Sequence, residues 1–185
     1  MPQSPKANRG PSVGPQNRRA LIDAAREVFA AEGLSAPLSS VAKRAGVGQG
    51  SLYRHFPDRT ALAVAVFDEN IAELEALAER PETILDDLLE HVIEQALVST
   101  AIITFLTANP DDERVIPLGD RFRHVAERLI ARERTAGRLG DHVAAEDVLL
   151  AVSMLAGILS RTPAGERRAT AKRAWGLFHA AFAPR

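Results

Sequence analysis

Apolar side chains recur every three to four residues through most of this 185-residue chain, and glycine or proline separates one run from the next. That spacing places the side chains of each run on one face of an α-helix. Because little in the chain alternates as a strand would, the predicted fold class is all-α. The predicted helices are 17–32, a short one after Pro37, 49–56, one that opens at Asp58, 84–107, 118–136, 144–160 and 166–182.

The absence of cysteine excludes disulfide scaffolds, thiolate metal sites and thiol nucleophiles. The longest nearly apolar run, 148–159, is shorter than the roughly 20 residues that span a bilayer. No apolar segment near residue 1 is typical of a secretory signal. We therefore expect a cytoplasmic protein without a membrane span.

The net charge of −1 conceals an uneven distribution. Residues 1–59 carry nine basic and four acidic side chains, a net +5, whereas the remainder carries 14 basic and 20 acidic ones, a net −6. This asymmetry indicates a basic domain over 17–59 and an acidic helical domain over 60–185, each with its own partner. Residues 1–16, rich in proline and glycine, are predicted to be a flexible basic tail. Lys6 and Arg9 either follow a phosphate backbone or belong to an inert tail.

Residues 38–56 have the pattern of a helix-turn-helix, in which a short helix, a glycine-containing turn and a second short helix follow one another. Gly46 stands where the chain reverses, because glycine adopts a left-handed backbone conformation without steric strain. On the second helix, Leu52 and Phe56 share one face and are predicted to point inward. The outward side chains, suited to bases and phosphates, are Gln49, Ser51, Tyr53, Arg54 and His55.

A helix of this kind fits the major groove of double-stranded DNA, which is roughly 12 Å wide, with its N-terminal residues at the base edges. Gln49 is placed for a bidentate contact with adenine, Ser51 accepts either kind of partner, and Gly50 lets the backbone approach closely. The alternatives are that the tyrosine packs in the core and the histidine caps its own helix. The side chains predicted to hold phosphates, which set register without reading sequence, are Tyr53, Arg54, His55 and Arg59.

A specific set of residues in this segment matches a known pattern: Ala45-Gly46-Val47 in the turn, Leu52-Tyr53, His55-Phe56, Arg59 and Leu62. With these residues, segment 17–67 resembles the DNA-binding domain of TetR-family (tetracycline-repressor-like) transcriptional regulators. The resemblance implies that the third helix reads the major groove and that the tyrosine, the histidine and Arg59 touch phosphates. The family places Ser or Thr near the start of the second helix. Here Ala36-Pro37-Leu38 stands there, so Ser39 or Ser40 is the predicted substitute.

The resemblance also implies an effector pocket beside the fourth to seventh helices. On the long helix 84–107, one stripe at helical spacing includes three polar side chains, His91, Gln95 and Ser99. Buried polar groups need partners, so we predict that these three orient a small-molecule effector in an apolar pocket. The alternative is that they lie at the exposed edge of the stripe or bond neighbouring helices. Residues of this type are more often core than pocket lining, but an apolar effector would need them, and those predicted to line the pocket are Phe105, Phe122 and Met154.

Residues 148–159 are apolar around the whole helix, which is more than one core requires. Aromatic side chains follow at Trp175, Phe178 and Phe182. Such a surface indicates burial between two subunits, and the alternative is a fully internal helix. Together with the family resemblance, it predicts a homodimer formed through the last two helices.

Motifs for enzymes and metal sites are missing from the sequence. The five histidines show no pair at helical spacing, and neither a glycine-rich phosphate loop nor a G-x-S-x-G elbow is present. We therefore expect no catalytic residue, no metal and no cofactor.

The function predicted is a ligand-responsive transcriptional regulator, most simply a repressor, that binds a palindromic operator in double-stranded DNA as a homodimer. An architectural DNA binder without ligand response and a helical small-molecule-binding protein are the alternatives.

Overall fold

The computed structural model of the chain describes residues 13–107, 109 and 111–185, with side-chain positions for 14–96, 109 and 111–185. Within these residues the chain forms eight α-helices and no β-strand, which confirms the all-α prediction. None of the helices in these ranges has the length and apolarity needed to cross a bilayer. The helices are α1 (Val13–Glu32), α2 (Leu38–Arg44), α3 (Gln49–His55), α4 (Arg59–Glu79), α5 (Leu85–Thr107), α6 (Ile116–Thr135), α7 (Ala145–Leu159) and α8 (Arg167–Phe182), with a 3-10 turn, Ala164–Glu166, ahead of α8.

α1 begins at Val13, four residues before the predicted start at Asn17. Pro15 lies in its first turn, where backbone N–H groups have no acceptor within the helix, so the missing N–H of proline is tolerated there. The prediction of a tail over 1–16 is therefore wrong for residues 13–16. Residues 1–12, with Lys6 and Arg9, lie outside the described residues.

The turn between α2 and α3 has the conformation that its glycine predicts. Gly46 has a φ of 65°. The amide of Val47 donates to the carbonyl of Ala42 over 3.0 Å, and the amide of Gly46 donates to that of Lys43 over 3.2 Å. This pair of hydrogen bonds is the Schellman motif, which satisfies the last carbonyls of a helix as the chain reverses.

Among the side chains that the structure describes, the buried apolar ones form three clusters, each of which contacts α4. The first joins α1, α2, α3 and the first half of α4 as far as Val66, and includes Val115 from just before α6. The second joins the rest of α4 to α5, α6 and α7, and the third lies among α5, α7 and α8. Phe67, half-buried midway along α4, packs against all three. The N-terminal helices and the larger bundle are therefore joined along α4 through continuous apolar packing.

Candidate functional site

α3 is anchored by one face and open on the other. Leu52 and Phe56 are 1% and 2% exposed, as predicted. Tyr53 is 53% exposed, so the alternative in which it packs in the core is wrong. Of the other outward positions, Ser51 and His55 are half-buried, and the exposed ones are Gln49, Gly50 and Arg54.

The start of α2 lacks the side-chain cap that a serine or threonine would give. Pro37 stands at the cap position with extended backbone, and its side chain makes no capping hydrogen bond. Ser39 is exposed and Ser40 is half-buried in the first turn, where the Ser40 amide donates to the Pro37 carbonyl over 2.9 Å. Ser39 is thus the more accessible of the two hydroxyls predicted to reach a phosphate.

Arg59, the first residue of α4, binds the protein's own backbone. Its Nη1 donates to the carbonyls of Leu34 and Ala36, both in the connection between α1 and α2. The side chain therefore ties that connection to the start of α4. The phosphate contact predicted for Arg59 stays a prediction, and it would use the remaining nitrogens, Nε and Nη2.

Two basic side chains that the sequence motifs did not single out are exposed on α1 and α2. The guanidinium carbon of Arg18, on α1, is 5.5 Å from the ring centroid of Phe56. Lys43 is exposed in the last turn of α2, whereas its neighbour Arg44 forms an ion pair with Glu27. The basic character of this segment was visible in the sequence, but which cations lie beside α3 depends on tertiary contacts.

A cavity of about 350 Å³ lies between α4, α5, α6 and α7. Its size is within the range of small-molecule sites. The polar side chains in its wall are Gln95, Asp120, Arg123 and Ser153. Among the residues whose side chains the structure describes, the rest of the wall is apolar or glycine and consists of Phe67, Leu74, Val92, Val115, Ile116, Leu118, Gly119, Phe122, Leu149 and Val152.

Two of the residues predicted to bind an effector line this cavity, Gln95 and Phe122. Ser99 and Phe105 have side chains outside the described residues. The other wall residues come from four helices that are distant in the sequence, so no single motif could identify them.

His91 and Met154 lie elsewhere. His91 faces a separate open groove, with its Nε2 3.7 Å from a carboxylate oxygen of Glu73. Met154 is 56% exposed, because α7 turns Val148 and Leu155 inward and leaves the methionine on the opposite face. These two residues therefore do not line this cavity, and the effector contact predicted for them stays a prediction. Among the described residues, no three of His, Cys, Asp and Glu are grouped so that they could hold a metal ion.

The segment before α6 connects the cavity wall to the N-terminal helices. Arg114 Nη1 donates to both carboxylate oxygens of Asp58, over 3.2 and 3.0 Å, and Asp58 caps α4 by accepting from the Ala61 amide over 2.7 Å. The Ala61 amide and then the guanidinium hold the pKa of Asp58 below its ordinary value. Hydrogen bonds from Arg114 lower the pKa of Asp112 to about 2. The next residue, Val115, belongs to both the N-terminal cluster and the cavity wall.

Two short helices joined by a tight turn, with the second of them exposed, define the helix-turn-helix class of DNA-binding proteins. Residues 21–66 match the family model described as bacterial regulatory proteins, tetR family. The chain belongs to this family of transcriptional regulators. Its members are typically repressors and are not enzymes.

Three relatives illustrate the extent of the similarity. The nucleoid occlusion factor SlmA of Cronobacter sakazakii is 31% identical over 149 residues, 70% of this chain and 73% of that protein. The transcriptional repressor LfrR of Mycolicibacterium smegmatis is 35% identical over 99 residues, 51% of each chain. The crystal structure of a TetR transcriptional regulator from Streptomyces coelicolor matches with a TM-score of 0.67 and 27% identity, over 90% of this chain and 98% of the other. The chain spans about half the length of the first curated relatives that it matches.

Proposed function

We propose that the chain is a ligand-responsive repressor that binds a palindromic operator as a homodimer and is released by a small molecule. The observation that carries the proposal is α3, a short helix with a buried anchoring face and an exposed polar face. Such a helix is suited to the major groove, because its side chains can reach base edges without unfolding the domain. A regulator of bacterial DNA would act in the cytoplasm.

The roles of the individual residues follow from their exposure and chemistry. Gln49 and Ser51 would contact bases, with Gly50 allowing close approach. Because the first apolar cluster reaches Val66, we extend the DNA-binding domain beyond residue 59 into the first half of α4. The side chains assigned to phosphates are Ser39, Ser40, Tyr53, Arg54, His55 and the remaining nitrogens of Arg59, with Arg18 and Lys43 as further candidates.

Dimerisation is supported by the exposed apolar side chains of α7 and α8. Among the described residues, six large apolar side chains are exposed, and four of them lie on these two helices. Three repeat at every fourth position along one face of α7, which gives a continuous stripe. Exposed stripes of this kind mark protein interfaces. The four side chains are Leu150, Met154, Ile158 and Leu177.

The effector site proposed is the cavity between α4 and α7. Two α3 helices of a dimer can enter successive major grooves only if they lie about 34–36 Å apart or a multiple of that distance. A small molecule releases DNA only if it binds better to a conformation with a different spacing. Val115 and Arg114 link the cavity wall to the DNA-binding domain, so occupancy of the cavity has a direct route to α4.

A second candidate function is a DNA-binding role other than the control of transcription. The alignment with a nucleoid occlusion factor over 70% of the chain favours considering it. Such a factor would bind DNA through α3 but would not change transcription from a promoter that carries the selected site. A reporter gene placed behind that site distinguishes the two candidates.

Selection of bound duplexes from a random DNA pool tests the proposal. The expected result is one inverted repeat whose half-sites are about 10 base pairs apart or a multiple of that spacing, because a two-fold dimer requires a two-fold operator. Recovery of no enriched sequence would refute operator binding. Enrichment of a single, non-repeated site would refute the dimeric mode.

A further inference from the structure

Gln95 connects the cavity to α4 through its side-chain amide. It lies in the cavity wall, and its Nε2 donates to the backbone carbonyl of Asn70 over 3.2 Å and to Glu73 Oε2 over 3.4 Å. Both partners are acceptors, which determines the orientation of the amide. The polar atom that Gln95 keeps for a molecule in the cavity is therefore its oxygen, Oε1, which can only accept a hydrogen bond.

The same two residues of α4 bind an arginine of the DNA-binding domain. Arg26, on α1, donates from Nη2 to Asn70 Oδ1 over 2.9 Å. Its Nη2 also lies 3.4 Å from Glu69 Oε2 and 3.6 Å from Glu73 Oε1. Because Asn70 is buried, its bonds are made with little competition from water. A chain of polar contacts thus runs from the cavity wall on α5, through α4, to α1.

This network has an unsatisfied donor and a shared acceptor. Arg26 Nε is buried and has no hydrogen-bond partner among the described residues. A buried donor without a partner is unfavourable, so arrangements that satisfy it compete with the one seen. The carboxylate of Glu73 is within reach of Gln95 and Arg26, and also of His91. It is the group whose position can change with the state of Gln95.

We propose that the cavity binds a largely apolar molecule with one hydrogen-bond donor, a hydroxyl or N–H group, which donates to Gln95 Oε1. Binding of that molecule alters the contacts of Gln95 with Glu73, and through Glu73 those of Arg26 on α1. A donor on Oε1 polarises the amide and strengthens its Nε2 bonds. A stronger bond from Gln95 Nε2 holds the Glu73 carboxylate closer to Gln95. The ion pair between Glu73 and Arg26 is then weaker. The inference deepens the proposed effector site and depends on it.

A matched pair of fluorescent probes tests the ligand chemistry. 1-Hydroxypyrene carries a donor, whereas 1-methoxypyrene has the same ring system without one. In fluorescence titrations of the full chain, we expect the hydroxyl compound to bind about 2- to 10-fold more tightly, the effect of one hydrogen bond. Gln95→Leu should bring the two affinities together while both compounds still bind. Ser153→Ala, which changes another polar side chain of the wall, should keep the preference.

The outcomes separate this inference from the proposed function. If neither compound binds, the cavity is not an effector site and that part of the proposed function fails with the inference. If both bind equally to the unaltered chain, or if the preference survives Gln95→Leu or disappears in Ser153→Ala, the inference alone is overturned.

Hydrogen exchange of the α1 amides tests the transmission. Saturation with 1-hydroxypyrene should change exchange across residues 20–32, and Glu73→Ala should remove that change. Alanine favours helix, so the substitution is compatible with α4. Glu79→Ala, near the end of the same helix and 4.0 Å from Arg128, is the matched control and should leave the change intact. An unaltered exchange response in Glu73→Ala, or none in the unaltered chain, would overturn the proposed route.

Discussion

Arg54 and Arg59 lie close together in the chain but have different surroundings. Arg54 is exposed on α3, whereas Arg59 donates to two carbonyls of the connection between α1 and α2. Residue type and spacing predicted a phosphate contact for both. The backbone partners of Arg59 could not be predicted, because Leu34 and Ala36 belong to an irregular segment whose path depends on the packing of α1 against α2.

Replacing these two arginines should therefore give different results. Arg59→Ala should lower the free energy of unfolding by about 1–2 kcal/mol, since charge-assisted hydrogen bonds to partly buried carbonyls are lost. Arg54→Ala should change it by less than about 0.5 kcal/mol, as is usual at exposed positions. Urea denaturation followed by circular dichroism measures both. Equal stabilities would show that the Arg59 bonds do not hold the connection in place.

Asp112 gives a prediction for the dependence on pH. Arg114 lowers the pKa of this carboxyl to about 2, so the pair stabilises the folded chain above the ordinary carboxyl range near 4 and loses that effect as pH falls toward 2. NMR titration of the side-chain carboxyl carbon should find this midpoint in the unaltered chain. In Arg114→Ala the midpoint should rise toward its ordinary value. An unchanged midpoint would mean that the guanidinium does not hold the carboxylate in solution.

Among the helices, α3 contains a glycine that gives a prediction for both stability and DNA binding. Gly50 lies in this helix with ordinary backbone angles, and a Cβ built there would meet nothing within 4 Å. Gly50→Ala should therefore raise the free energy of unfolding by about 0.5–1 kcal/mol, because alanine favours helix. It should also weaken operator binding, because the added methyl group separates the helix from the base edges.

This combination of higher stability and weaker DNA binding distinguishes a surface that approaches DNA from one that does not. Gly165→Ala is the control, since Gly165 is exposed in the 3-10 turn ahead of α8 and also has free space around it. It should leave operator affinity unchanged. Thermal unfolding and fluorescence anisotropy measure the two quantities, and undiminished operator affinity in Gly50→Ala would contradict close approach at this position.

The helices themselves were predictable because periodicity and glycine stops are local signals. The start and the end of α2 follow from Pro37 and Gly46, and the start of α4 follows from the Asp58 cap. The start of α1 was missed, because the rule that proline breaks helices does not apply in a first turn. α7 reads as apolar all round, but only the fold shows which of its faces packs inside the chain.

The exposed face of α7 leads to a prediction about assembly. Met154→Glu places a charge in the middle of the stripe formed with Leu150 and Ile158, so it should dissociate the dimer without unfolding the chain. Analytical ultracentrifugation should show a dimer for the unaltered chain and a shift to monomer for the variant. Ala131→Glu, at an exposed position on α6, should remain dimeric. A dimer that persists in Met154→Glu would exclude this face as the interface.

At the scale of the whole molecule, the two oppositely charged parts are joined by shared apolar packing. The net positive charge is confined to residues 1–59, but the apolar cluster of that segment continues into α4 and includes Val115. Charge could be counted from the sequence, whereas this shared packing could not, since it brings together positions far apart in the chain. Most residues of the cavity wall could not be predicted for the same reason. Gln95 could be predicted because it is a polar residue in an apolar stripe.

In the proposed function, α3 reads a DNA sequence. The most direct test is the affinity of the chain, with and without Gln49→Ala, for the selected duplex and for a scrambled duplex of the same composition, at one stated salt concentration. The unaltered chain should prefer the selected duplex by at least about 10³-fold, and Gln49→Ala should lose about tenfold or more of that preference, the contribution of a bidentate base contact. Equal affinity for the two duplexes, or a preference that Gln49→Ala leaves unchanged, would contradict the assignment of α3 as the reading helix.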